Sequence, residues 1–190
     1  MPDWIPVALG DDIPLSTVIP FSYDGQDHAL WRSASGKLAA VPDRCPHRGM
    51  RLSHGFVRGE RLNCIYHGWA FDNEGQCRRI PAHPDLVPPQ AIRVQVLSIV
   101  ERGGVVWVSP DAGGLTPDLG GLTPLRQIEV AMPADRLPDS VPKGVVRLLS
   151  SRSGPDSCIV IALVAAGATV AQRLAASTAL EQWRHEVEHG

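Results

Sequence analysis

The stretch CPHRGMRLSHGFVRGERLNCIYHGW, residues 45–69, sets Cys45 and His47 in a CxH pair and Cys64 and His67 in a CxxH pair, with sixteen residues between His47 and Cys64. Each pair comes as a short loop. Two loops that each offer one sulfur and one imidazole form a mixed donor set. In a chain of 190 residues with four cysteines and no secretory signal, such a set is better explained by metal than by disulfides.

Composition bounds the rest. With 44% hydrophobic residues the chain can bury one good core, or one core plus a small appended unit. A formal charge of −2 argues against general nucleic-acid binding, which needs a broad basic surface for phosphates. The charge is uneven, however. Arg44, Arg48, Arg51, Arg58, Arg61, Arg78 and Arg79 crowd residues 44–79, where only Glu60, Asp72 and Glu74 oppose them. The start, MPDWIPVALGDDIP, is acidic, and its apolar run is too short for a secretory signal, so a cytoplasmic location is expected. The longest apolar run, CIVIALVAAGATVA at 158–171, falls short of the ~20 residues of a membrane helix. It reads as a buried strand running into a helix, and no membrane partner is expected.

Short β-like runs at residues 4–9, 15–21, 28–33, 37–41, 61–64, 91–100 and 104–109 are separated by YDGQD, SASGK, DNEGQ and ERGG, which carry the Gly, Asp and Asn of tight reversals. Residues 1–110 therefore predict an antiparallel β domain. Residues 111–124, mostly glycine, proline and small polar groups, predict a linker without a packed element. Residues 125–190 predict a small α+β tail: a hairpin of 145–150 and 158–164, then a helix over 169–188 with Val170, Leu174, Leu180, Trp183 and Val187 on one broad face.

Placing one sulfur and one nitrogen on each loop lets the cysteines serve one metal and the histidines a second, the ligand logic of a Rieske [2Fe–2S] centre. A Cys₂His₂ set also suits a single tetrahedral zinc ion, the redox-silent alternative, although the order Cys, His, Cys, His is unlike a zinc finger. CPHRG, then CIYHGWAFDNEG and IPAHP, resembles the Rieske domain of the ring-hydroxylating and demethylating non-haem iron oxygenases. The strand-like stretches GKLAAVPDRCPHRGMRLSHG and VQVLSIVERGGVVWV are also similar to that family, and the resemblance covers roughly residues 1–110. It implies a mainly β fold, an antiparallel β-sandwich with an inserted cluster-binding subdomain, and a [2Fe–2S] cluster on Cys45, His47, Cys64 and His67.

The respiratory Rieske type pairs a further cysteine from each loop; the equivalent positions here are Met50 and Tyr66, which cannot cross-link. Trp69 and Phe71 stand where that type supplies hydroxyls to the cluster. Fewer hydrogen bonds predict a potential toward the low end of the range of about −150 to +300 mV. Cys77 and Cys158 are expected to be buried or partly exposed free thiols rather than ligands, Trp69 to pack on the loops, and His54 and His83 to have no assigned role.

Complete oxygenases of the family carry a mononuclear iron on two histidines and a carboxylate. After residue 110 the histidines are His185 and His189, at i and i+4 of the expected helix with Glu181 one turn earlier. They fall on its polar side at an exposed end, so a catalytic Fe(II) is not expected there. The leading expectation is an electron-transfer subunit, with a reductase or ferredoxin as donor and an oxygenase catalytic chain as acceptor, in a hetero- or homo-oligomer. A compact oxygenase with its own mononuclear iron, acting on a small organic substrate, is the alternative.

Overall fold

The computed structural model describes residues 4–111, 114, 115 and 117–190. Strand β1 (Ile5–Leu9) precedes a hairpin of β2 (Thr17–Tyr23) and β3 (Gln26–Arg32). Its two-residue turn, Asp24-Gly25, has φ of 49° and 71°, the left-handed pair that matches the twist of the flanking strands. Strand β4 (Leu38–Pro42) pairs with β3 and closes a sheet of order β2-β3-β4. The chain then leaves this sheet to build a second one in sequence order from β5 (Phe56–Arg58), β6 (Arg61–Asn63), β7 (Ala70–Phe71) and β8 (Cys77–Arg79). It returns through residues 80–97 to β9 (Ser98–Arg102) and β10 (Val105–Ser109), and β10 sits between β1 and β9. A last sheet, of order β11-β13-β12, is made by β11 (Leu122–Val130), β12 (Arg147–Arg152) and β13 (Cys158–Ala165), and α1 (Val170–His189) covers it. All strand pairs among the described residues are antiparallel.

Strand alternation turns these sheets into a stack. On β3 and β4, Ala29, Trp31, Ala39 and Val41 face the β5–β8 sheet, while Leu30 and Ala40 face the opposite way, toward Val7, Val106 and Val108. On β10 the intervening Val105 and Trp107 meet Ile161 and Leu163 of β13. The other face of β13 presents Cys158, Val160, Ala162 and Val164 to Ala176, Leu180 and Trp183 of α1. Each internal sheet is therefore apolar on both faces, which accounts for the continuous runs VVWV and CIVIALV. The fold is the mainly β, antiparallel architecture expected, with the β5–β8 sheet inserted between β4 and β9.

Three details differ from the expectation. The segment 111–124 is more structured than a linker: Leu119 is only 5% exposed and packs with Trp107, and β11 begins at Leu122. Residues 112, 113 and 116 of it lie outside the described residues. The tail sheet consequently has three strands rather than a two-stranded hairpin. β11 tolerates Pro124 because it is an edge strand whose register shifts between Pro124 and Arg126. Along the helix, Leu180 and Trp183 are buried, but Val170 and Leu174 are 84% and 68% exposed and do not join the core face. The helix starts where expected, with a reciprocal cap: Thr169 Oγ1 accepts from the Gln172 N–H and Gln172 Oε1 from the Thr169 N–H.

Candidate metal centre

Two loops project from the inserted sheet and its junction with β4, and they share one backbone frame. In the first, the Cys45 N–H donates to the Met50 carbonyl (2.8 Å) and the Gly49 N–H donates to the Cys45 carbonyl (2.8 Å). In the second, the Cys64 N–H donates to the Trp69 carbonyl and the Gly68 N–H to the Cys64 carbonyl, both at 2.9 Å. The same two spacings thus recur. Closing each loop needs a left-handed residue, supplied by Gly49 (φ 74°) and Gly68 (φ 68°). At Gly68 space is also short, because a Cβ there would stand 2.9 Å from Pro81 Cγ.

The frame sorts the donors by depth. Cys45 and Cys64 are each 2% exposed and belong to the core formed with Trp31, Leu52, Leu62 and Phe71. His47 is half-buried and His67 exposed, with ring centroids 4.7 Å apart. Trp69 stacks on His47 at 4.4 Å with the planes 5° apart, and Tyr66 lies 3.8 Å from His67. Trp69 therefore packs on the loops, as expected.

Electrostatics follows from that depth. Burial pushes the Cys45 thiol up to about 11; the backbone N–H of His47 pulls the other way, and the adjoining Cys64 thiol adds to the rise. Loss of solvent, then the neighbouring His67 and Arg48, hold the His47 imidazole below its usual range. Two buried thiols side by side become thiolates only beside a strong positive centre, so the inner pair is suited to a metal. Among the described residues no three His, Cys, Asp or Glu side chains gather as one metal-binding group. The donors instead form an inner sulfur pair and an outer nitrogen pair, the division that a two-metal cluster with unlike ends requires.

Residues that sequence reasoning passed over brace this frame. Buried Asp43 accepts hydrogen bonds from the Ser53 N–H and Oγ–H, both at 2.6 Å, and so ties the chain beyond the first loop back to its start. Asp43 stands two residues before Cys45, the one sequence cue to that task. Pro81 caps Gly68, and residues 91–97 thread alongside: Cys77 N–H donates to the Ile92 carbonyl and Val94 N–H to the Gly75 carbonyl. Cys77 and Cys158 are buried free thiols.

The C-terminal histidines are arranged differently. His185 and His189 are exposed, with ring centroids 4.4 Å apart, and His189 Nδ1 lies 3.0 Å from the His185 carbonyl. Glu181 is occupied by Arg126 (2.6 Å) and Arg184 (2.8 Å). A carboxylate held by two guanidiniums is a poor third ligand.

The family model described as Rieske [2Fe-2S] domain matches residues 3–97, half of the chain. The chain belongs to the Rieske [2Fe–2S] domain family. That family implies a [2Fe–2S] cluster, and the paired thiols and imidazoles fit one. Curated relatives include the oxidoreductase NdmD of Pseudomonas putida, 41% identical over 107 residues (56% of this chain, 18% of NdmD). The 4beta-methylsterol monooxygenase of Methylococcus capsulatus is 40% identical over 111 residues (56% of this chain, 30% of that protein). Pheophorbide a oxygenase of Oryza sativa is 35% identical over 140 residues (69% and 26%). The chain thus spans less than a third of the length of each. Among solved structures, apo dicamba monooxygenase superposes with a TM-score of 0.78 at 19% identity, covering 98% of this Rieske chain and 85% of that one. The fold likeness therefore runs through the β11-β13-β12 sheet and α1 as well. No helix among the described residues is long and apolar enough to cross a membrane.

Proposed function

We propose that Cys45 and Cys64 hold one iron of the Rieske cluster and His47 and His67 the other, and that the chain carries single electrons in the cytoplasm from a reductase or ferredoxin to an oxygenase catalytic chain. The observation that carries this reading is the repeated loop frame, with thiols inside and imidazoles outside. When bound, the cluster supplies a one-electron couple whose potential is raised by having two neutral ligands in place of thiolates. The protein's own contribution is to exclude water from the sulfur end, through Leu52, Leu62 and Phe71. At the other end it leaves each imidazole a second nitrogen able to meet water or a partner's carboxylate. Trp69 orients the His47 ring by stacking, and without added hydroxyls the potential lies low in the Rieske range. Relatives that are oxygenases and an oxidoreductase support an oxygenase setting for these electrons.

Metal and sulfide analysis of the anaerobically purified chain, with its electron-resonance spectrum after reduction, tests the proposal. Two irons and two sulfides per chain with a Rieske signal are expected. A colourless chain with one zinc ion overturns it. Three irons, with substrate-dependent oxygen consumption, would instead favour a compact oxygenase.

A further inference from the structure

Beside His47 an open groove of about 410 Å³ runs between the first loop and residues 93–95. Arg44, Arg48 and Arg93 line it together with Gln95, and no carboxylate does. Arg32, Arg51, Arg78, Arg126 and Arg184 each hold an acidic partner. By contrast, the guanidiniums of Arg44 and Arg48 make no hydrogen bond or ion pair among the described residues, and that of Arg93 donates to the Glu74 carbonyl at 3.2 Å. All three are exposed. Gathering three guanidiniums around one rim with no carboxylate between them costs the fold repulsion that no ion pair offsets. The chain as a whole is slightly acidic, so the cluster of cations is local rather than a general basic surface.

We infer that this groove docks the acidic face of a one-electron carrier protein, whose Asp and Glu side chains enter it and pair with Arg44, Arg48 and Arg93. Guanidinium forks match carboxylates with two parallel bonds, which fixes orientation as well as attraction. His47 forms the inner wall, so a carrier seated there stands against an outer ligand of the cluster. With a cluster bound, one electron would cross there: the carrier would be oxidised by one and the cluster reduced by one, with no atom transferred. A charged, open contact suits a partner that must arrive quickly and leave after each transfer. Nucleic acid fits less well, because a single three-arginine groove on a chain of net charge −2 offers few phosphate contacts. This inference rests on the electron-carrier reading above.

Two readouts test it separately from that reading. Labelled poly-L-glutamate, followed by fluorescence anisotropy, needs no cluster. It should bind the native protein, weaken as salt shortens the Debye length from ~30 Å at 0.01 M to ~3 Å at 1 M, and be lost in Arg44→Glu/Arg48→Glu. The second readout is oxidation of the reduced protein by anionic cobalt(III)-EDTA and by cationic tris(phenanthroline)cobalt(III). The double variant should cut the ratio of the anion's rate to the cation's by roughly tenfold or more at low salt, a ratio in which the lowered potential caused by the reversed charges cancels, with the electron-resonance signal kept. Arg44→Lys/Arg48→Lys should restore most of the effect, which guards against misfolding of the charge-reversed form. Equal response of both cobalt complexes, or polyglutamate binding indifferent to the variant, overturns the inference. So does tight binding of a short duplex DNA that the variant abolishes, since the groove would then be a phosphate surface. A chain that keeps the polyglutamate site but shows no Rieske signal overturns the electron-carrier reading alone.

Discussion

Two pairs of histidines lie in the outermost layers of this molecule at almost the same separation, 4.7 Å for His47 and His67 and 4.4 Å for His185 and His189. Proximity is where the likeness ends. The first pair stands on two loops closed by the same backbone bonds, with two buried thiols behind it and Trp69 stacked against one ring. The second rides the last turn of an exposed helix, and its nearby carboxylate, Glu181, is held by two arginines. Donor atoms close together do not make a metal site; a frame that fixes and desolvates them does.

That contrast can be broken or sharpened by experiment. The largest effect should come from Cys64→Ser, which removes one of the two inner thiols proposed to hold iron. Iron content and visible absorption should vanish, and retention of both would end the proposed ligand set. At the other end of the stack, Leu180→Ala truncates a fully buried side chain between α1 and β13, with an expected loss of about 2–5 kcal/mol in urea unfolding. The reduction potential should not move, because the cluster end and the helix end have separate cores. A coupled shift would contradict that separation.

His67→Cys exchanges a neutral side chain, proposed as an outer ligand, for an anion. The potential should fall by on the order of 100 mV or more, toward the plant-type value of about −400 mV, and its pH dependence should weaken. Voltammetry across pH checks both.

The buried thiols also set a pH window. Cys45 has a folded-state pKa of about 11 against an ordinary 9.0, so the unfolded chain releases its proton first as pH rises. Stability of the metal-free protein should therefore be full below about pH 9 and decline toward about pH 11. Cys158, also raised to about 11, adds to this decline in metal-free and loaded protein alike. The loaded protein should decline less, since the proposed metal-bound Cys45 is already ionised. Denaturation of both forms across that window makes the comparison. The smallest effect concerns the frame itself: Gly68→Ala forces a left-handed alanine against Pro81, at a cost of about 1–2 kcal/mol by chemical denaturation.

Much of the cluster end was legible in the sequence because its determinants are local. CPHRG and CIYHG carry their donors and their closing glycines within a few residues, and Asp24-Gly25 announces its hairpin unaided. The C-terminal layer was harder to read because tertiary contact decides it. Nothing within residues 111–124 indicates that Leu119 will be buried by Trp107, or that Pro124 will be tolerated at a sheet edge. Likewise, Val170 and Leu174 carry the apolar period of the helix but remain outside its contact with the sheet. The run 91–100 looks like one long strand, yet only β9 at its end is regular. Residues 92–97 bond instead to Cys77, Gly75 and Ala40, bridging two sheets that the sequence does not announce as neighbours.

The most direct test of the central claim is pulsed electron-resonance of the reduced protein grown with ¹⁵N-labelled histidine. Two distinct nitrogen couplings are predicted, one lost in His47→Ala if the cluster survives there, and both unchanged in His185→Ala/His189→Ala. A paramagnetic cluster with no nitrogen coupling, or couplings that disappear with the helix histidines, would contradict the account.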